Sequence, residues 1–376
     1  MSPSPRIRLL MTADAVGGVW SYAVDLVRGL APHGVETTLA VLGPAPTSSQ
    51  RAAAAAVPGL RLLETALPLE WLADSPAEIA ASGQALAALA REVGADLVHL
   101  NTPAPAAGAA FTAPLVIACH SCVATWWGAV RHGPLPDDFR WRAELTGQAL
   151  ATARLLIAPT AAFAAATART YGLRQPPLVI HNGRQAMARP AAAQSVPADV
   201  VFTAGRLWDE GKDIATLDRA AARLSIPVLA AGDTRGPNGA QVKLKHLRLL
   251  GRLSDAALAR ILDTRPIFVS PARYEPFGLA VLEAAQAGCA LVLSDITGFR
   301  ELWDGAAEFV RPGDNAALAA TVQHIATDRE RRIALGVAAR ERAERFTVEI
   351  QTAAMLDAYR RLLAGQCDWM QKDVAA

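Results

Sequence analysis

Chemistry in this sequence concentrates around two glutamates eight residues apart, Glu275 and Glu283, in the stretch that runs from Pro271 to Gly288. An apolar run, Ile267-Phe-Val-Ser270, leads into a polar turn carrying Glu275. The helix that follows is predicted to hold Phe277, Gly278 and Leu279 in its first turn, with Glu283 about two turns further on. Free backbone N–H groups and the positive end of the helix dipole meet at such a start and favour an anion. Two carboxylates bracketing it suit a ligand that is part phosphate and part polyol. Solvated carboxylates on an ordinary strand–loop–helix unit fit the same spacing.

Further positions add to this pattern. Arg206 and Lys212 share one loop, and only four of the 37 cations are lysine (Lys212, Lys243, Lys245, Lys372), so Lys212 stands out. Arginine can grip a diphosphate in a bidentate manner while lysine acts as a point charge; each alone also reads as a solvated surface charge. Near the N-terminus, Gly17-Gly18 lies between a predicted first strand and first helix, where glycine lets a backbone approach a ligand closely or simply makes a tight turn. His120 falls just past a predicted strand, the place that lines the ligand crevice of an open parallel sheet. Trp126-Trp127 follows, with Arg131, Arg140 and Arg142 near it. These aromatics suit stacking on a sugar, a hydrophobic acceptor channel or core packing. The arginines suit an anionic acceptor, a peripheral membrane contact or a solvated face.

Composition narrows the class. The chain has 376 residues, 52% hydrophobic and 19% charged, with a net charge of +2, and its mean hydropathy is +0.20. That length suggests two or three domains with proper cores. A nucleic-acid partner has no electrostatic support. No apolar run reaches transmembrane length, and Leu9-Leu-Met is too short for a signal-peptide core, so a cytoplasmic location is expected, with peripheral membrane contact as a variant. Cys119-His-Ser-Cys122 has C-x-x-C spacing, but no second ligand pair accompanies it, so reduced cysteines and no metal are expected.

The elements that must position these residues read as two blocks of βα units. In the first block, strands are predicted at Arg6–Met11, Val35–Leu42, Asp96–Leu100, Pro114–Cys119, Leu155–Pro159 and Pro177–Ile180. Helices are predicted from Val19 to Leu30, from Ser75-Pro76 to about Arg91, and from Thr160 to about Tyr171. Residues 125–141 read as irregular and aromatic-rich, followed by a helix to about Arg154. Residues 184–198 carry no period and read as a linker. The second block has strands at Asp199–Ala204, Pro227–Ala231, Leu247–Leu250, Pro266–Ser270 and Ala290–Leu293, with a helix over Ile214–Leu224. Beyond Asp314 the chain reads as helical nearly to Gly365, broken at Phe346-Thr347. Repeated βα units in two blocks give an α/β chain of two facing, doubly wound domains.

Taken jointly, Gly205-Arg206-Leu…Lys212, Glu275-Pro-Phe-Gly-Leu…Glu283-Ala, Ala287-Gly288, Ser294-Asp295 and Glu301-Leu-Trp-Asp-Gly resemble the retaining GT-B glycosyltransferases of family 4. Gly17-Gly18-Val19, Asp96-Leu-Val-His99, His120 and His181-Asn-Gly183 are similar more weakly. The resemblance implies Rossmann-like domains over residues 1–183 and 199–345, with residues 346–376 forming a crossover helix and tail on the first. It implies transfer of a sugar from a nucleoside-diphosphate sugar to a hydroxyl acceptor, with retention and without a metal or other cofactor. By position it places Arg206, Lys212, Gly17, Gly18, Gly278 and Leu279 on the donor diphosphate and Glu283 on the ribose. Glu275 and Phe277 fall on the donor sugar, with His120 beside the transferred sugar. Trp20, Trp126 and Trp127 are the acceptor-side candidates. Epimerisation or hydrolysis of a nucleotide sugar, and silent nucleotide-sugar binding, remain as alternatives. Departures include Gly288-Cys289-Ala290 after the second carboxylate's helix and the Cys119–Trp127 segment around His120.

Overall fold

The computed structural model of the protein describes residues 6–187 and 197–366. Most of the expected linker, and the tail from Cys367 onward, lie outside the described residues. The chain divides into two compact units. One takes the residues up to Gly128, then His132–Gly183 and the chain from Val348; the other takes Ala129–Arg131 and Arg184–Thr347.

The first unit opens with β1 (Ile7–Asp14), α1 (Gly18–Leu30), β2 (Val35–Leu42), α2 (Ser48–Ala55) and β3 (Leu60–Glu64). It continues through α3 (Pro76–Glu92), β4 (Leu97–Leu100), β5 (Leu115–Ala118), α4 (Val123–Val130), α5 (Asp137–Leu150), β6 (Leu155–Ala158), α6 (Ala161–Tyr171) and β7 (Leu178–Val179). The strands form a parallel sheet in the order β3-β2-β1-β4-β5-β6-β7. Alternation along β1 builds two cores: Leu9, Met11 and Ala13 face α1, while Leu10 joins the residues of α3 and α5 on the other side. Polar caps set the helix starts. Ser75 accepts from the Glu78 amide with Pro76 in the first turn, and Thr160 accepts from the Phe163 amide at 3.1 Å.

The second unit repeats the scheme with β8 (Val201–Ala204), α7 (Ile214–Ala221), β9 (Val228–Ala231), β10 (Arg248–Gly251), α8 (Asp255–Asp263) and β11 (Ile267–Ser270). Then come α9 (Leu279–Gln286), β12 (Leu291–Ser294), α10 (Thr297–Trp303), β13 (Glu308–Val310), α11 (Asn315–Thr327) and α12 (Arg329–Ala343). Its sheet is also parallel, in the order β10-β9-β8-β11-β12-β13. The last helix, α13 (Val348–Leu363), belongs to the first unit. Met355, Leu356, Tyr359 and Leu362 enter the core beneath α1; full burial of a large apolar side chain contributes about 1.5–3 kcal/mol. A side chain at Gly29 of α1 would lie 2.0 Å from the Thr352 hydroxyl, so glycine permits this close approach.

Five sequence expectations change. β3 was not anticipated: Leu60–Glu64 is a half-buried sheet edge with Arg61 and Glu64 exposed, so it lacks the apolar run of a central strand. The three-residue β13 was missed for a similar reason. The segment expected to be irregular contains α4 and the start of α5, because Val123–Val130 closes a helix despite its β-formers. The long C-terminal helix is also interrupted at Asp328, whose side chain caps α12 by accepting from the Arg331 amide. Finally, α9 begins at Leu279: Gly278, at φ +92°, is its N-cap, and Phe277 precedes it.

Candidate functional site

In the second unit, the carboxyl ends of β8 and β11 bring two loops together, as parallel βα units require. After β8 the chain passes Gly205 and Arg206 into a short 3-10 turn, Glu210–Lys212. Asp209 caps this turn by accepting from the Gly211 amide at 2.9 Å, and it also pairs with Arg206 at 3.0 Å. Gly232, at the end of β9, has φ +132°, and a side chain there would lie 1.8 Å from the Gly205 carbonyl oxygen, so only glycine lets the β9 end sit against this loop. After β11 the loop is stitched to the same turn, since the amides of Arg273 and Tyr274 both donate to the Gly211 carbonyl, at 2.9 and 3.1 Å. Arg273 also reaches Asp213 at 2.8 Å.

This stitching sets Lys212 against Glu275. The two form an ion pair whose side chains are only 20% and 14% exposed. Gly278 follows, its left-handed backbone turning the chain into α9, and a side chain on it would meet Phe299 at 3.2 Å and the Glu275 side chain at 3.3 Å. No side chain caps α9. The N-cap Gly278 and the first residue of the helix, Leu279, thus lie next to Glu275 with no side-chain acceptor on their amides.

Glu283, inside α9, pairs with Arg184 at 2.7 Å, both side chains being about nine-tenths buried. Arg184 is itself held by its backbone: its amide donates to the Phe346 carbonyl at 3.2 Å and its carbonyl accepts from Gln286 at 2.8 Å. Sequence reasoning placed Arg184 in the linker and missed it. No local pattern signals a partner ninety-nine residues away. Phe277, expected on the donor sugar, is 3% exposed and packs edge-on against Phe346. Its ring belongs to the core and presents no surface to a donor sugar. The second unit thus sets Arg206, Lys212, Glu275 and Gly278 on the loops after β8 and β11, with Leu279 opening α9 and Glu283 further along it.

In the first unit, Gly17 is the N-cap of α1, and Asp14 accepts from the Val16 and Gly17 amides at 2.9 and 3.2 Å. Trp20, expected on the acceptor side, is 6% exposed and sits in the core with Tyr22 and Leu26, so it presents no surface to an acceptor. Trp126 and Trp127, on α4, are half-buried. Trp126 stacks on Phe139 with ring planes 6° apart, and the Trp127 indole donates to the Gly133 carbonyl at 3.0 Å.

His120 lies just beyond β5, half-buried, with the Tyr22 ring against it at 4.3 Å in a T-shaped contact. Its Nε2 meets Asn101 Oδ1 at 2.9 Å, and His99 Nε2 meets the same oxygen at 3.1 Å. His99 Nδ1 lies 2.5 Å from the Tyr359 hydroxyl of α13. Burial pushes His120 down to about 4 and His99 down to about 3, with the charge of His120 a lesser cause for His99, so both rings are neutral near pH 7. Cys119, Cys122 and Cys289 are free and buried. Among the described residues no group of three or more His, Cys, Asp or Glu is placed to hold a metal ion. No helix among them is long and apolar enough to cross a membrane.

Two family models match the chain: residues 16–185 fit "Glycosyltransferase Family 4" and residues 198–328 fit "Glycosyl transferases group 1". The chain is similar to the phosphatidyl-myo-inositol mannosyltransferase of Mycolicibacterium smegmatis, at 34% identity over 117 residues, 30% of each chain. It resembles the glycogen synthase of Mycobacterium tuberculosis at 31% identity over 40% of each chain. These two matches span less than half the length of those relatives. With the D-inositol 3-phosphate glycosyltransferase of Kribbella flavida it shares 28% identity over 93% of this chain and 91% of the relative. Among solved structures, sucrose-phosphate synthase from Thermosynechococcus elongatus superposes with a TM-score of 0.79 at 20% identity, covering 96% of this chain and all of the other. Anabaena HepE, solved in complex with UDP and glucose, does so with a TM-score of 0.74 at 18% identity, covering 94% and 100%. At such identities the structures share the fold, which is the α/β, two-domain GT-B architecture. The chain belongs to the GT-B glycosyltransferases of family 4, the glycosyl transferases group 1 family.

Proposed function

We propose that this chain transfers a sugar from a nucleoside-diphosphate sugar to a hydroxyl acceptor, with retention of anomeric configuration and without a metal ion. The observation that carries the reading is the corner in which Lys212, Glu275 and the uncapped start of α9 meet on one sheet edge. Cleavage of the donor's C1–O bond sends its electron pair to the β-phosphate. Preorganised cations and amides stabilise that charge, a role for Arg206, Lys212 and the amides of Gly278 and Leu279. Lys212 leaves Glu275 for the phosphate, and the freed Glu275 carboxylate accepts from sugar hydroxyls. Glu283, oriented by Arg184, accepts from the ribose diol. The acceptor oxygen forms the new bond to C1 on the face the diphosphate leaves, and its proton passes to the departing β-phosphate oxygen. That same-face route supports retention without a protein nucleophile.

The acceptor is a hydroxyl of a glycan, a lipid-linked sugar or a small polyol. Two of the similar proteins named above carry inositol in their names, so inositol and its phosphates belong in the first acceptor panel. The test is a panel of nucleoside-diphosphate sugars and acceptors in the presence of EDTA, followed by nucleotide release and product analysis. Transfer only with an acceptor present supports the reading. Donor-only turnover supports epimerisation or hydrolysis instead, and binding without turnover supports a nucleotide-sugar sensor.

A further inference from the structure

The hydrogen bonds around Asn101 fix more than its own position. Asn101 is buried at the end of β4, where its amide N–H donates to the Thr12 hydroxyl at 2.9 Å and its side-chain Nδ2 lies 2.7 Å from the Thr12 carbonyl oxygen. A carbonyl oxygen can only accept, so the Asn101 side chain must turn its NH2 to Thr12 and its Oδ1 the other way. That Oδ1 then faces two imidazoles, His99 and His120, at 3.1 and 2.9 Å. An oxygen that only accepts requires a proton on Nε2 of both rings. His99 completes its set by accepting a hydrogen bond from the Tyr359 hydroxyl at Nδ1. His120 has its proton on Nε2, and its Nδ1 has no hydrogen-bond partner among the described residues. The main-chain carbonyl of β1 therefore dictates, through one amide, the tautomer of a histidine two strands away.

We propose that Asn101 is a positioning residue that holds His120 as a neutral Nε2–H imidazole, so that the sugar-side role the resemblance gives His120 is that of a hydrogen-bond acceptor at Nδ1. This rests on the donor reading above. In it His120 is an acceptor and not an acid: it neither gives a proton to the leaving group nor carries charge against the developing oxocarbenium centre. The groups facing His120 agree with a neutral ring, being the Tyr22 ring from α1, His99 and Asn101 from β4, and Tyr359 from α13 behind His99. None of them is an anion. Tyr359 supports the same arrangement from the far side, since its hydroxyl occupies His99 Nδ1 and keeps the His99 proton on the nitrogen that faces Asn101.

The test uses the full chain with 15N-labelled histidine. In the wild type, His120 and His99 should both show the Nε2–H tautomer, and neither should titrate between about pH 5.5 and 8. Asn101→Asp, nearly the same size, places a carboxylate oxygen against the Thr12 carbonyl and beside both imidazoles. His120 should then titrate within that window, and kcat should fall at its acid end, where protonated Nδ1 can no longer accept. Asn101→Ala should give a mixed His120 tautomer and lower kcat about tenfold, the loss expected for one hydrogen bond, with nucleoside-diphosphate Kd changed by less than about twofold. A wild-type His120 in the Nδ1–H form, or one titrating near neutrality, overturns the proposal. So does an Asn101→Ala chain with an unmoved tautomer. The tautomer is read in the ligand-free protein, so a failed transferase assay with the expected tautomers would count against the donor reading and leave the Asn101 assignment standing. If Asn101→Ala does not fold, Asn101→Asp carries the same decision.

Discussion

Replacing Lys212 by alanine should weaken nucleoside-diphosphate binding about 10- to 150-fold. The magnitude follows from the geometry. Lys212 is one-fifth exposed and already paired with Glu275, so the diphosphate must take the ammonium from a carboxylate. A hydrogen bond to a charged group contributes about 1.5–3 kcal/mol, and each 1.4 kcal/mol is about a factor of ten in Kd. Removing Lys212 also leaves the Glu275 carboxylate unpaired beside the incoming phosphates, which pushes the loss towards the upper end. The pair makes a second, opposite prediction. Glu275→Gln frees Lys212, so the Kd of the bare nucleotide should stay level or fall, while kcat with the sugar donor drops about a hundredfold. Calorimetric titration of UDP, GDP and ADP into both variants and the double variant measures all of this. The double variant should bind better than Lys212→Ala alone, because the repulsive carboxylate is gone. A Lys212→Ala Kd within about twofold of the wild type would refute the assignment. A Glu275→Gln loss of nucleotide affinity equal to that of Lys212→Ala would refute the division of roles.

Other outcomes follow from the same structure. Arg184→Ala removes a charged partner from the largely buried Glu283, which should lower stability in urea unfolding and weaken nucleoside-diphosphate binding; an unchanged midpoint would contradict the role given to the pair. Gly278→Ala places a side chain at φ +92° against Phe299 and Glu275 and should cost about 1–3 kcal/mol and reduce turnover. His99 and His120 are held neutral in the folded chain, with values of about 3 and about 4 against about 6.5 when unfolded. The unfolded chain therefore binds more protons between those values, so their stabilising share is complete above about pH 6.5 and is lost as pH falls towards 4. Urea-unfolding free energies should fall by up to about 1.4 kcal/mol per pH unit for each histidine in that window, and His99→Gln should flatten the slope. Trp127→Ala should raise acceptor KM with donor Kd unchanged; an effect on donor Kd alone would remove it from the acceptor side.

Much of the proposed donor corner was legible in the sequence because its residues are local. Glu275, Gly278 and the helix start sit within one strand–loop–helix unit, and Arg206 and Lys212 share a loop whose spacing survives intact in the structure. What stayed hidden depends on contacts between distant segments. Arg184 looked like linker because its partner lies in α9. Asn101 drew no notice because its importance comes from Thr12 and two histidines, brought together only when β1, β4 and β5 lie side by side. Tyr359 falls in a segment that reads only as helical, with nothing to say that its hydroxyl meets His99. Trp20 misled in the opposite direction, since it was an acceptor-side candidate while the start of α1 buries it. β3 and β13 escaped because short edge strands need little apolar sequence.

The central claim is that the second unit's corner handles the diphosphate of a sugar donor for same-face transfer. NMR observation of turnover tests it most directly: a nucleoside-diphosphate α-sugar, an acceptor panel that includes inositol phosphates, and EDTA throughout. The account predicts release of the free nucleoside diphosphate only when a productive acceptor is present, together with an α-linked product. A β-linked product, or transfer that EDTA abolishes and a divalent ion restores, would contradict it.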